Sequence, residues 1–184
     1  MATPSYTDAG VSVQKGGYVR VVALEAQPLT REAFAPFGAL PPDEGDEPTA
    51  DLEFLHADGW VNYIGHALDE VDVVDGALRC DVLNRHDTHT QTLMPVSGDA
   101  VIVVAPAAVT FAAADDLASA RAFVVRRYEC VHLRRGTWHW GPYPLDAPQL
   151  RIFNVQGRGY PNDNGVAALA RDLDAVLAIA TRIS

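Results

Sequence analysis

Only two cysteines occur in the chain, Cys80 and Cys130, and neither belongs to a C-x-x-C pair. That argues against a disulfide scaffold and against a thiolate zinc site. Each cysteine sits in an apolar segment and is expected to behave as a small buried hydrophobe. Positive charge is also scarce: 14 Lys and Arg stand against 24 Asp and Glu, for a formal net charge of −10. No basic stripe stands out, and phosphate neutralisation dominates nucleic-acid affinity, so no nucleic-acid partner is expected. Long apolar runs are missing. A membrane-spanning helix needs about 20 consecutive apolar residues, so no membrane partner is expected either. The opening Met1-Ala2-Thr3-Pro4-Ser5-Tyr6 lacks a basic region followed by an apolar stretch, which speaks against a secretory signal and for a cytoplasmic protein. Internal repeats and low-complexity segments are not found.

What the chain does have is apolar content. At 184 residues and 48% hydrophobic it can bury the core of one ordinary globular domain. Residues 1–16 are polar and read as a flexible N-terminal arm, leaving 17–184 as a single domain. The runs Pro42-Asp43-Glu44-Gly45-Asp46-Glu47 and Asp115-Asp116 read as solvated loops. Tyr18–Leu24 reads as a first strand, Thr30 caps a short helix through Phe34, and Trp60–Ile64 reads as another strand. From Leu78 to Val155 short strands alternate with Gly, Pro and Asp: 78–85, 91–94, 100–104, 122–125, 130–133, 138–140 and 150–155. Such spacing predicts a mainly β sandwich or small barrel rather than βαβ units. The tail differs. Val166, Leu169, Ala170, Leu173, Val176, Leu177 and Ala180 recur at helical spacing after Asn162-Asp163-Asn164, which predicts an amphipathic C-terminal helix over about 164–182.

Two stretches carry the candidate chemistry: Arg85-His86-Asp87-Thr88-His89-Thr90-Gln91 and Gly136-Thr137-Trp138-His139. In an unbroken strand His86 and His89 would point to opposite faces; a bend at Asp87-Thr88 lets both imidazoles face one concavity. Gln91 shares the side of His89 in an extended chain. A histidine by itself is ordinarily structural, and His56, His66 and His132 are read that way. Three histidines on two glycine-turned strands point instead to a pocket at a barrel mouth.

Gly136 and His139 are where the chain resembles the cupin superfamily, whose second motif ends in P-x-G-x-x-H. Gly136 and His139 match it and Arg134 replaces the proline. The first cupin motif carries H-x-H, a glutamate and then a glycine; aligned on Gly98, those positions are Asn84, His86 and Gln91, with His89 nearby as a substitute. Within the superfamily the chain is most similar to the ureidoglycolate lyase family, over roughly residues 27–164. The matching pieces are Leu29-Thr30-Arg31-Glu32-Ala33-Phe34-Ala35-Pro36-Phe37-Gly38, Arg85-His86, Thr90-Gln91, Pro95, Val101–Ala105, Trp138-His139 and Asp163-Asn164.

That resemblance implies a cupin-like double-stranded β-helix barrel, often paired into homodimers. It also implies elimination of urea from (S)-ureidoglycolate to give glyoxylate, late in purine and allantoin breakdown, with a divalent metal such as nickel. The carbon–nitrogen bond cleavage needs a group that takes a proton near neutral pH, and His86 and His139 are the expected catalytic residues, directly or as metal ligands. His86, His89 and His139 are the expected metal ligands. Arg85 or Arg134 is expected to clamp the substrate carboxylate, with Gln91 on the ureido group and Trp138 closing the site. The chain departs from the family's pattern at four places: Asn84 for a glutamate, the turn Arg134-Arg135-Gly136 for His-Arg-Asn, Trp140 for a histidine and Gln156 for an aspartate. These exchanges remove proton-transfer groups and weaken a metal site, and they favour a relative with another small carboxylate or amide as substrate, or one that has lost activity, over a straightforward lyase. The reading from a different class is a non-catalytic cupin that binds a small ligand or serves as an assembly or regulatory partner. An isomerase or dioxygenase is disfavoured, because Asn84 and Gln91 sit where a histidine and the glutamate belong.

Overall fold

The computed structural model describes residues 8–14, 17–46, 51–56 and 58–181. In chain order the strands are β1 (Asp8–Gln14), β2 (Gly17–Pro28), β3 (Gly38–Ala39), β4 (Gly59–Ala67), β5 (Val73–Val74), β6 (Ala77–Cys80), β7 (Val82–Arg85) and β8 (Gln91–Pro95). They continue with β9 (Ala100–Ala105), β10 (Arg121–Val125), β11 (Val131–Leu133), β12 (Trp138–Pro144), β13 (Gln149–Gly157), β14 (Gly165–Ala168) and β15 (Ala175–Ala180). The α-helices are single turns, α1 (Arg31–Phe34) and α2 (Leu169–Asp172). Thr30 caps α1 as its residue type predicts, its hydroxyl accepting the Ala33 N–H at 3.2 Å.

Two sheets face each other. One runs β3-β11-β8-β13-β4; the other runs β14-β7-β12-β9-β10-β2-β15-β6-β5, with β1 added on β2. Period-2 alternation sends Leu93, Ile102, Val104, Phe123, Leu133, Leu150 and Ile152 into the space between them, where Phe34 and Phe37 plug one end. The larger sheet then curls back. Its other face buries Leu83, Val101, Val103, Trp138, Trp140, Leu177 and Ile179 in a second core. The architecture is an all-β, cupin-like barrel with a second layer wrapped against one wall.

Two expectations are corrected. The tail is not a long helix: β14, one turn of α2 and then β15 occupy 165–180. β15 runs parallel to β2 and antiparallel to β6 inside the larger sheet, and four of its six residues are buried before Ala180 emerges. A strand covered on both faces loses its alternation and reads as a continuous apolar run, which a helical spacing can mimic. Asp174, at φ +48°, makes the break before it. The arm expected over 1–16 is in part a strand as well, since Asp8–Gln14 pairs antiparallel with β2; residues 1–7 and 15–16 lie outside the described residues. Both cysteines are free; Cys80 is buried as expected, whereas Cys130 is only half-buried, and its partial burial pushes the thiol up to about 11.

Candidate active site

Strand alternation decides which residues meet. In β12, His139 pairs with Val104 of β9 and with Asn84 of β7, so all three share the face toward the barrel interior. Trp138 and Trp140 point the other way, into the second core. The chain leaves β7 at Arg85 and bends at Asp87-Thr88, as the spacing of His86 and His89 requires. The bend is held by the Asp163 carboxylate, which accepts the Asp87 N–H at 3.0 Å, the Thr88 N–H at 2.7 Å and the Thr88 hydroxyl at 2.5 Å. Gly136, at φ +75°, ties the two histidine stretches together by donating its N–H to the His86 carbonyl at 2.6 Å. A side chain there would be strained and would crowd Ala107.

The three imidazoles come together. The rings of His86 and His89 stack at 4.5 Å, and that of His139 lies 5.3 Å from His86. Each turns its Nδ1 toward a main-chain carbonyl: His86 to Asp163 at 2.6 Å, His89 to Thr90 at 3.1 Å and His139 to Thr137 at 3.2 Å. A carbonyl only accepts, so every Nδ1 carries the hydrogen and every neutral ring keeps its lone pair on Nε2. Burial lowers the pKa of His86, and the nearby His89 adds to this while the Asp163 carbonyl opposes it. Burial and then the His86 charge bring His139 down to about 4. The neutral forms of His86 and His139 therefore prevail at neutral pH. Burial by itself would raise the Asp163 carboxyl, but its hydrogen bonds from Thr88 and Asp87 outweigh that and hold it below the usual carboxylate range.

Ligand atoms of His86, His89 and Asp163 lie within 4.8 Å of one another, a cluster able to hold a metal ion. The donor set fits one. Imidazoles anchored at Nδ1 offer Nε2, and the Nε2 of His89 is buried with no hydrogen-bond partner. In the sequence Asp163 is legible as a cap residue before the tail and as part of the family resemblance, but not as a site residue, because its partners Thr88 and His89 lie far away in the chain. A cavity of about 260 Å³ opens beside His89 and Asp163, with Phe54, Leu55, His56 and Gly157 in its wall. His56, read from the sequence as structural, therefore lines the cavity. The segment carrying it is pinned over the site by the Leu55 N–H to the Thr88 carbonyl at 2.9 Å and the Thr90 N–H to the Glu53 carbonyl at 3.0 Å.

The expected substrate clamp is not brought to the histidines. Arg85 shares the face of Leu83, and its guanidinium stacks on the Trp138 ring at 4.6 Å in the second layer. The Trp138 indole donates to the Val109 carbonyl at 2.8 Å. Arg134 is exposed and donates to the Ala35 carbonyl at 2.7 Å, while Arg135 pairs with Glu53 at 2.7 Å. Gln91 does face the interior, on the same side as Leu93. Its Nε2 donates to Asn154 at 3.0 Å and to Gln156 at 3.2 Å, and Asn154 donates on to Asn62 at 2.7 Å.

A profile of the ureidoglycolate lyase family matches residues 58–173, well over half of the chain and all of the histidine cluster. The chain belongs to the ureidoglycolate lyase family. Among family members, the ureidoglycolate lyase of Agrobacterium fabrum is 29% identical over 160 residues, covering 77% of this chain and 87% of that protein. The ureidoglycolate lyase of Pseudomonas syringae pv. tomato is 32% identical over 133 residues, covering 63% and 72%. A solved structure of a dTDP sugar isomerase from Desulfovibrio desulfuricans G20 superposes with a TM-score of 0.40 at 15% identity, covering 70% of this chain and 78% of that one.

Proposed function

We propose that this family member eliminates urea from (S)-ureidoglycolate to leave glyoxylate. The observation that carries the reading is the gathering of three Nδ1-anchored imidazoles beside Asp163, within the stretch that the family profile covers. His139 takes the hydroxyl proton of the substrate at Nε2, and the oxygen collapses to an aldehyde as the carbon–nitrogen bond breaks. The proton is then returned to the departing urea nitrogen. A ring with a pKa near 4 is a weak base in the free protein. The substrate's own carboxylate, once beside it, favours the imidazolium and raises that pKa on binding. His86, His89 and Asp163 would hold a divalent ion, nickel or a relative, with His139 at the edge of the set. Such an ion would acidify a hydroxyl and supply positive charge that Arg85, Arg134 and Arg135, turned elsewhere, do not. Phe54 and Leu55 exclude water from the cavity mouth.

Glyoxylate release from (S)-ureidoglycolate by purified protein, lost in both His139→Ala and His86→Ala, supports this reading. A folded, metal-loaded protein that releases none overturns it. The family setting extends the proposal to a cytoplasmic homodimer acting in purine breakdown. Val61 and Tyr63, exposed on the edge strand β4, offer such a pair a surface, and sedimentation checks the mass.

A further inference from the structure

Two glycines face each other where the site is built. Gly157 ends β13 and is the register partner of Gly59, which opens β4. Glycine weakens a strand, because it costs chain entropy and offers no side chain to pack. Neither position needs its conformational freedom: the positive-φ glycines among the described residues are Gly45, Gly76, Gly136 and Gly141. Space is what the pair supplies. A Cβ on Gly59 would run into the ring of Phe54, and one on Gly157 would come within 2.7 Å of Cδ2, 2.8 Å of Cγ and 3.0 Å of Cβ of His89. Phe54 and His89 are themselves joined by an antiparallel β-bridge. The paired glycines thus seat a paired phenylalanine and histidine. Gly65, further along β4, seats nothing: a Cβ there would meet only the Leu150 carbonyl, at an ordinary 3.6 Å.

The two seats differ in what they hold. At Gly59 the close atoms are Cζ, Cε2 and Cδ2 of an aromatic ring, which can swing about its side-chain bonds. At Gly157 one of the close atoms is His89 Cβ, which no side-chain rotation moves. Clearing it requires the main chain to shift, yet that chain is held by the Thr90 N–H to the Glu53 carbonyl at 3.0 Å and by the bridge to Phe54. The imidazole has no slack either. It is buried, stacked on His86 at 4.5 Å, with Nδ1 turned to the Thr90 carbonyl at 3.1 Å. Whatever displaces His89 from β13 therefore changes its setting against His86.

We infer that Gly157 is a positioning residue of the site: by carrying no side chain it sets the depth of the His89 imidazole and so its spacing from His86, while Gly59 does the same for the Phe54 wall of the cavity. The effect on turnover rests on the reading of the histidine cluster as the reacting centre; the packing itself does not.

A double-mutant cycle on stability tests the packing without any turnover. Gly157→Ala should lower the thermal midpoint by about 3–10 °C, the usual scale of overpacking in a protein of this size. In a His89→Gly background, which removes all three close atoms, the same substitution should cost nothing or raise the midpoint. Equal costs in the two backgrounds overturn the inference. If Gly157→Ala alone does not fold, recovery of folding in the double variant supports the inference and its absence overturns it. Spectroscopy and kinetics then read the site. In folded Gly157→Ala the imidazole signals of His86 and His89 should move in the NMR spectrum, and kcat should fall about ten- to a hundredfold with KM changed by less than about threefold. Gly65→Ala should leave signals and kcat at parent values. A folded Gly157→Ala protein with the parent's histidine signals and kcat overturns the inference. A non-additive cycle in a protein that releases no glyoxylate would leave this inference standing and remove the lyase reading. Glyoxylate release with an additive cycle would do the reverse.

Discussion

Strand β12 borders two interiors that obey different rules. On the side of Trp138 and Trp140 the second core is filled by Leu83, Val101, Val103, Leu177 and Ile179; the Trp138 indole has its carbonyl there, and the Arg85 guanidinium stacks on the Trp138 ring although its Nε is buried without a hydrogen-bond partner. On the side of His139 the apolar packing of Ile102, Val104 and Leu133 gives way toward one end to buried histidines and amides. There two acceptors, His89 Nε2 and Gln91 Oε1, remain unpaired. One face of the strand meets a mostly aliphatic and aromatic core and the other meets gathered imidazoles and amides. Natural proteins accept such local defects chiefly where a ligand completes them.

The contrast is open to test, and the largest expected effect is on turnover. His139→Ala should reduce glyoxylate formation about 10²- to 10⁴-fold, the usual contribution of a proton-transfer group, with a near-native thermal transition. Trp138→Ala, one residue away, should do the opposite. It should lower unfolding free energy by about 3–5 kcal/mol in denaturant titration while leaving turnover per folded molecule close to normal. If both variants lose activity alike, the division between the faces is wrong.

Acid is the next probe. His139 has a folded-state pKa near 4 against an ordinary 6.5, so the unfolded chain binds the proton more readily. Stability of the metal-free protein should therefore fall as pH drops from about 6.5 to 4, by up to roughly 3 kcal/mol, and His139→Leu should flatten that slope. Asp163 acts lower: its depressed pKa stabilises the fold above the ordinary value of 3.8 and is lost as pH falls through its folded value. Asp163→Asn should remove that low-pH component and cost about 1–3 kcal/mol at neutral pH, read by denaturant titration at each pH. The smallest effect belongs to Arg85→Gln. Losing its stacking on Trp138 should cost about 0.5–1 kcal/mol and leave KM for ureidoglycolate unchanged. A tenfold rise in KM would instead return Arg85 to the substrate clamp.

Much of this arrangement was legible in the chain. Short strands between Gly, Pro and Asp produced the barrel strands nearly in register, with the 78–85 run divided at Asp81 into β6 and β7. The i, i+3 histidines required the bend that Asp87 and Thr88 make, and Gly136 marked the turn before His139. Where reading failed, it failed on questions of face and distance. Arg85 lies next to His86 in sequence yet projects to the other side, because one residue along a strand reverses direction. Asp163 is 74 positions beyond His89, and only the pairing of β14 with β7 brings the preceding turn to the histidines. The tail misled because a doubly covered strand carries no alternating signature.

By itself, then, the sequence determined the family, the β architecture and the identity of the imidazoles, because each rests on local spacing or on residue types at short range. Only the tertiary structure decided which side chains share a room, which imidazole nitrogen is left free, and that Gln91 donates to Asn154 and Gln156. Those are properties of strand pairing across long stretches of chain, where the burial of one atom depends on what another strand sets against it.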